Sequence, residues 1–314
     1  MAFDSPMLVS DLWYNDGNIV LQAESSLFRV SLGVLAARSP VFNDIQTLPR
    51  SQDQEMYGDC PLMVLPDKAE DLANFLRAVY NSGFFAPIPS KTDFDMVAGI
   101  LRLSTKYEIP YLRQRALLHL DTVICNTLQD HEARESKRTI PPTNFLAFLI
   151  ADLVHEMDLE WLLPTVLYLC TLSFEGITIG YMHRGERRWL NSSQQVACVK
   201  ALRPLIKWHR KDILSFLYWT NVDGCKSSAR CNKCRLALLE ALSSHKLINA
   251  LGPFADIFEQ SVREAFCESC YIASRDAHLA AREALWEALP GLFELPSWEA
   301  LRTLREEALK LTGS

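Results

Sequence analysis

The chain has 314 residues, of which 49% are hydrophobic and 22% charged, and its formal net charge is −6. That length suits two domains, each able to bury its own core, and the composition excludes a disordered chain. The acidic balance argues against a nucleic-acid partner, whose affinity usually rests on a basic surface.

The leading MAFDSPMLVSDLW has no basic start, and Asp4 and Asp11 flank its short apolar run, so it is not expected to act as a secretory signal. No stretch approaches the roughly 18 uninterrupted apolar residues of a membrane helix. The most apolar run, Phe145 to Ala151, stops at Asp152. The expectation is an intracellular protein, cytoplasmic or nuclear, without membrane contact and with reduced thiols. Its nine cysteines then read as buried apolar residues or metal ligands rather than disulfides.

In chain order, Asn18 to Ser31 places two short apolar runs around Glu24-Ser25-Ser26, which predicts a β-hairpin. Leu32 to Ile45 reads as one or two short helices, with Pro40 fitted to a first helical turn. Residues 46–60 read as a loop, and Pro61 to Leu65 as a buried strand. Asp67 with Glu70 suggests a capping box opening a helix whose apolar face carries Leu72, Phe75, Leu76, Val79 and Tyr80. After a Pro-rich loop, Thr92 with Asp95 opens a second helix, broken at Ile109-Pro110. A third presents Leu112, Ala116, Leu120 and Val123. The charged stretch 126–142, ending in Pro141-Pro142, reads as a linker.

Beyond it the periodicity is almost wholly helical. Helices are expected over Thr143–Met157, Leu159–Phe174, Ser193–Trp219, Cys231–Leu247, Phe254–Leu289 and Ser297–Leu311. Ser192 with Gln195 suggests a further capping box, Pro204 a kink or division, and Pro290-Gly291 a helix end. Glu175 to Leu190 shows no clear period and reads as a loop or small hairpin.

The segment FRVSLGVLAARSPVF (Phe28 to Phe42) resembles the signature of BTB, or POZ, domains: Phe28, Val30, Val34, Leu35, Ser39, Pro40, Val41 and Phe42 match it. The strand near Leu65, the helix from Leu72 to Tyr80, and LRLSTKYEIPYLRQRAL (Leu101 to Leu117) follow in the family's order. The resemblance covers residues 11–125. It implies an α+β domain, a small sheet wrapped by helices, followed here by an all-α domain over 143–314. A three-stranded sheet buries little alone, and five amphipathic helices would complete its core. Such domains self-associate or bind partner proteins and catalyse nothing. Two positions depart from the pattern: Ser31 stands where the family has His, and Leu32 where a basic residue is common, which puts corepressor recruitment in doubt. With ten residues before Asp11, a strand-exchanged homodimer is less expected than one formed through the first helices. The leading DLWYNDGNIVLQAES and the C-terminal half are similar to a large group of uncharacterised fungal BTB proteins.

Five cysteines fall in two groups, Cys225, Cys231 and Cys234 in GCKSSARCNKCR, and Cys267 and Cys270 in FCESCY. Two intervening residues put Cys267 and Cys270 on one face of a helix or turn, and zinc favours four thiolates in a tetrahedron. Lys226, Arg230, Lys233 and Arg235 would favour the thiolate form. The candidate ligands are Cys231, Cys267 and Cys270. The resemblance to the fungal proteins, which carry C-x5-C before a later C-x-x-C, favours Cys225 as the fourth, with Cys234 as the alternative. Such a structural zinc competes with two other readings: unliganded thiols, and a redox C-x-x-C, which would want a thioredoxin-like strand that the sequence lacks.

His155-Glu156 has no second His at metalloprotease spacing and reads as a solvated pair. Lys207 to Asp212 (KWHRKD) is basic around Trp208 and reads as the wet face of a helix rather than a nucleic-acid contact. Trp286 and Trp298 are expected to anchor the last helices to the core rather than to form a docking peptide. The leading function is a non-enzymatic adaptor or scaffold binding proteins through the BTB surface, with a homodimer and a cullin-type ubiquitin ligase as implied partners. A nuclear transcriptional or chromatin regulator is the alternative. An enzyme in the C-terminal domain comes last, since nothing there pairs a nucleophile with a base.

Overall fold

A computed structural model describes residues 6–48, 54–243 and 249–310. The chain divides into two compact units. The first comprises residues 1–123, 136–142 and 306–314, the second residues 124–135 and 143–305.

The first unit is built on a five-stranded sheet of order β1-β3-β2-β5-β4. Its strands are β1 (Met7–Trp13), β2 (Ile19–Ala23), β3 (Ser26–Val30), β4 (Met56–Tyr57) and β5 (Cys60–Leu65). The predicted hairpin is β2–β3, antiparallel from Ile19 opposite Val30 to Ala23 opposite Ser26, with Glu24 left-handed in its turn. β5 joins β2 in parallel and β1 joins β3 in parallel. β2 and β3 each bury four of five residues, so both of their faces are covered. β1 and β4 were not predicted. β1 buries only Leu12 and β4 buries nothing, so neither edge strand carries the alternation that would reveal it.

Five helices complete this unit: α1 (Leu32–Ala36), α2 (Pro40–Thr47), α3 (Ala69–Tyr80), α4 (Phe94–Lys106) and α5 (Pro110–Asp121). Ser39 caps α2 by accepting from Phe42 N at 3.2 Å, and Pro40 takes the first helical position. The same hydroxyl donates to Tyr107 O at 2.5 Å. Phe42 stacks on Tyr107 with centroids 4.6 Å apart, and Phe75 lies on Tyr107 at 5.5 Å. Arg77 reaches Asp11 with two nitrogens, tying α3 to β1.

The expected capping boxes are each displaced. Asp67 does not cap α3: it accepts from Lys106 Nζ at 2.6 Å and from the Tyr107 hydroxyl, while Glu24 Oε2 accepts from Ala69 N. Asp93, not Thr92, caps α4 through Met96 N at 2.8 Å. In these two cases a carboxylate better placed for the free N–H groups takes the role.

Residues 126–142, read as a linker, carry α6 (Leu128–Lys137). Thr127 caps it reciprocally with Asp130. Further along, Thr139 is buried and returns to the first unit. Its Oγ1 lies 2.8 Å from His119 Nδ1, and its carbonyl accepts from Thr92 N. Burial lowers the His119 pKa below its usual value.

The second unit continues with α7 (Leu146–Glu156), a 3-10 turn Glu160–Leu162, α8 (Leu163–Thr171), α9 (Phe174–Thr178) and a small antiparallel hairpin, β6 (Tyr181–His183) with β7 (Glu186–Arg188). This hairpin lies within Glu175 to Leu190, the stretch read as a loop or small hairpin, and the unit is mostly rather than wholly helical. α10 (Ser192–Trp208) follows, capped by Asn191 through Gln194 N rather than by Ser192. It passes through Pro204 without division and continues into a π-helical turn, His209–Ile213, and a 3-10 turn, Ser215–Tyr218. Then come α11 (Ser228–Ser243), α12 (Phe254–Ile257), α13 (Glu259–Ala265), α14 (Glu268–Leu292) and α15 (Trp298–Leu309). The single helix expected over Phe254–Leu289 is therefore three, with Phe266 extended before α14. The expected continuations of α11 to Leu247 and of α15 to Leu311 lie outside the described residues. Pro290 sits inside α14, which ends two residues later.

The core of this unit is fastened by polar side chains as well as apolar packing. Tyr168, fully buried, donates to Asn249 Oδ1 at 2.9 Å and accepts from Leu251 N at 2.8 Å. Arg282 donates to Leu251 O from two nitrogens and pairs with Glu132. Trp286 and Trp298 are buried and stacked, centroids 5.1 Å apart and 4° from parallel, and Trp298 Nε1 donates to Trp286 O. They anchor the last helices, as their spacing suggested.

Candidate metal centre

The two cysteine groups meet where the turn before α11 approaches the start of α14. Gly224, left-handed at φ 75°, turns the chain so that Cys225 faces back toward α14. Cys231 lies in the first turn of α11 and is buried. Cys267 is the residue before α14 and Cys270 is buried in its first turn. Ser269 Oγ donates to Gly224 O at 3.0 Å and holds the two segments together.

The sulfurs of Cys225, Cys231, Cys267 and Cys270 all lie within 4.8 Å of one another. Cys267 Sγ is 3.7 Å from Cys225 Sγ, and Cys267 N donates to Cys231 Sγ at 3.4 Å. A tetrahedral tetrathiolate with bonds of about 2.3 Å separates its sulfurs by about 3.8 Å. A disulfide would need about 2.05 Å. The set therefore fits a single tetrahedral ion. Cys234 stands apart, half-buried, with its thiol directed at Ala265 O at 3.7 Å.

The electrostatics of the four thiols differ. The backbone N–H of Cys270, at the open end of α14, holds the Cys267 thiol down at about 6. Burial raises the Cys231 pKa and pushes Cys270 up to about 12. Of the basic residues in these segments, Lys226, Arg230 and Lys233 are exposed, and Arg230 donates to Glu264 O. Arg235 differs: it is 2% exposed. Its Nε donates to Phe216 O, its Nη1 to Asn232 Oδ1, and its guanidinium lies 5.0 Å from the centre of the Phe266 ring. Its remaining nitrogen, Nη2, has no hydrogen-bond partner, while the guanidinium favours the thiolate of Cys270. Sequence reasoning placed Arg235 among four equivalent cations. Its burial, which sets it against the thiols, had no sequence signal.

A four-cysteine set can bind a soft or borderline cation with every position filled by protein, leaving none for a substrate. Elsewhere, His155 is exposed on α7. Among the described residues no helix is long and apolar enough to cross a membrane.

The fold is a mixed sheet wrapped by five helices, followed by a mostly helical unit that carries the thiol cluster. Residues 15–123 match the family model of the BTB/POZ domain, a protein–protein interaction module. No curated protein and no solved structure matches the chain.

Proposed function

We propose that this chain is a non-enzymatic adaptor or scaffold. Its BTB/POZ unit docks one protein, and its helical unit, stapled by a structural zinc ion, receives another. The observation that carries this reading is the match of residues 15–123 to an interaction module, in a chain whose remaining length forms a second unit with its own core. Zinc is held by Cys225, Cys231, Cys267 and Cys270, and the sulfur spacing supports that ligand set. With four thiolates the ion contributes folding energy and carries out no reaction.

In its specific form, the partner of the BTB unit is a cullin-type ubiquitin ligase, engaged over α2, the loop 49–61 and the helices α4 and α5. Residues 49–53 of that loop lie outside the described residues. α2 offers Asn43, Asp44, Gln46 and Leu48 on its exposed side. The test is affinity purification of the full chain, joined to calorimetry with a purified cullin amino-terminal domain. Co-purification and binding support the adaptor, and absence of both defeats it. Light scattering against the 35.7 kDa protomer mass reads the homodimer in the same preparation.

One observation favours a nuclear regulatory reading instead. Lys207, Arg210 and Lys211 are exposed beside Tyr218, itself 60% exposed, and together they line one surface depression. Cations around an exposed ring suit a nucleic-acid strand. Binding of random duplex DNA that weakens steeply with salt supports that reading, and no binding at low salt removes it.

A further inference from the structure

α7 and α14 end in the same way. The residue after the C-cap of α7 is Asp158, at φ 52°, and Leu159 N donates back to Val154 O at 3.0 Å. The residue after the C-cap of α14 is Glu294, at φ 60°, and Leu295 N donates back to Pro290 O at 3.0 Å. Both are Schellman closures, whose left-handed position normally takes glycine. Here each holds a carboxylate at the negative end of a helix, where a cation is preferred. Glu108 closes α4 with the same substitution in the other unit. What sets Asp158 and Glu294 apart is that both line one cleft.

That cleft belongs to the second unit and has a volume of about 400 Å³, within the roughly 300–1,000 Å³ of ligand-binding clefts. Leu163, Leu167, Val196 and Phe293 supply apolar wall, and Val196 is 53% exposed. Asp158, Glu160 and Glu294 stand on the lining. Lys200 is the one lysine or arginine among the lining residues, and Glu294 pairs with it at 2.9 Å. Asp158 and Glu160 make no ion pair among the described residues. The cleft thus combines an apolar wall, two uncompensated carboxylates and the negative ends of two helices. Gln194, also on the lining, is buried. Its Nε2 donates to Ala151 O, and its Oε1 is an acceptor without a partner.

A neutral apolar ligand would leave this field unanswered, and an acidic one would be repelled. Resting on the adaptor reading above, we propose that the cleft is the partner site of the helical unit. It takes a peptide segment whose apolar side chain is flanked by arginine or lysine. The apolar side chain fills the wall, and the cations answer Asp158 and Glu160.

The test uses the full chain and a fluorescein-labelled peptide, Gly-Arg-Leu-Phe-Arg-Gly, beside its counterpart with both arginines replaced by glutamate. Fluorescence anisotropy should show the arginine peptide binding at least about tenfold tighter, with the difference shrinking as salt rises. Asp158→Lys combined with Glu160→Lys should weaken it about tenfold, Lys200→Glu should strengthen it, and Val196→Glu should abolish it. Val196 is exposed, so an unchanged melting curve for Val196→Glu separates lost binding from lost folding. Equal affinity for the two peptides, indifference to the Asp158 and Glu160 changes, or no binding by either peptide up to about 1 mM overturns the proposal. So does a dimer by light scattering that Val196→Glu dissolves, because a second copy then occupies the cleft. Cullin binding measured on the same variants keeps the two readings separate. In the parent chain, absence of peptide binding with cullin binding intact sinks the cleft alone, and the converse sinks the cullin reading alone. In Val196→Glu, peptide binding should be lost while cullin binding persists.

Discussion

Cys267 Sγ lies 3.7 Å from Cys225 Sγ although 42 positions separate them in the chain. That separation matches the roughly 3.8 Å sulfur–sulfur edge of a tetrathiolate, and a zinc ion is the proposed occupant. Purified protein should carry about one zinc per chain. Cys267→Ser or Cys225→Ser should reduce that to well under half and lower the melting temperature, whereas Cys234→Ser should leave both unchanged. Elemental analysis with a thermal melt reads the outcome. Full zinc in Cys267→Ser, or loss of zinc in Cys234→Ser, contradicts the ligand set.

Arg235 makes a second point of attack on the same centre. A tetrathiolate zinc site carries a net charge of −2, and a buried guanidinium beside Cys270 offsets part of it. The expected effect of Arg235→Gln is a zinc affinity lower by about 10- to 100-fold with one ion still bound per chain. Competition with a chromophoric chelator measures it. An unchanged affinity would mean that Arg235 serves only Phe216 O and the Phe266 ring.

In the first unit the comparable residue is Ser39. Its hydroxyl caps α2 and reaches Tyr107 O, so one side chain joins α2 to the end of α4. Ser39→Ala removes the cap and leaves a buried acceptor unmet, which should cost about 1–3 kcal/mol. Urea denaturation of the full chain reads it, and a change below about 0.5 kcal/mol would show that water replaces the hydroxyl.

Ser39-Pro40 was legible because a cap followed by proline leaves few alternatives for the backbone, and the hairpin was legible because β2 and β3 are apolar around a polar turn. The edge strand β1 was not, because an edge buries one residue in seven here and leaves no period. The caps of α3, α4 and α10 were each misplaced. Asp, Asn, Ser and Thr stand side by side at 92–93 and 191–193, and only the tertiary bonds of Asp67 show that it is engaged elsewhere. The long helix expected from Phe254 broke into three, since Phe266 must leave the helical register for Cys267 to open α14. The candidate ligands were visible as cysteine pairs. The convergence of Asp158 and Glu294 on one cleft was not, because it depends on where two helices end in space.

Acid should destabilise the second unit through two histidines. His278 is fully buried among Phe216, Phe254 and Phe258, and His131 lies against Trp286 and Tyr168. Burial, assisted by nearby arginine charge, lowers each from 6.5 to about 3. Both are neutral in the folded protein at pH 7, and neither ring nitrogen of His278 has a hydrogen-bond partner. Above pH 6.5 folded and unfolded states are alike in charge at these positions, so their contribution is fully present. As pH falls from 6.5 toward about 3, the unfolded chain takes up protons that the folded chain refuses, and stability drops. The slope is about 1.4 kcal/mol per pH unit for each histidine. His278→Phe extends the aromatic cluster and removes one of the two. Between pH 6.5 and 4.5 its stability should fall less than that of the parent, by up to about 1.4 kcal/mol per unit. Urea midpoints at pH 7.5, 6.5, 5.5 and 4.5 measure this, with zinc content followed in parallel because the thiols also take up protons when metal leaves. Parallel slopes for parent and variant at equal zinc content would show that His278 titrates alike in the folded and unfolded states.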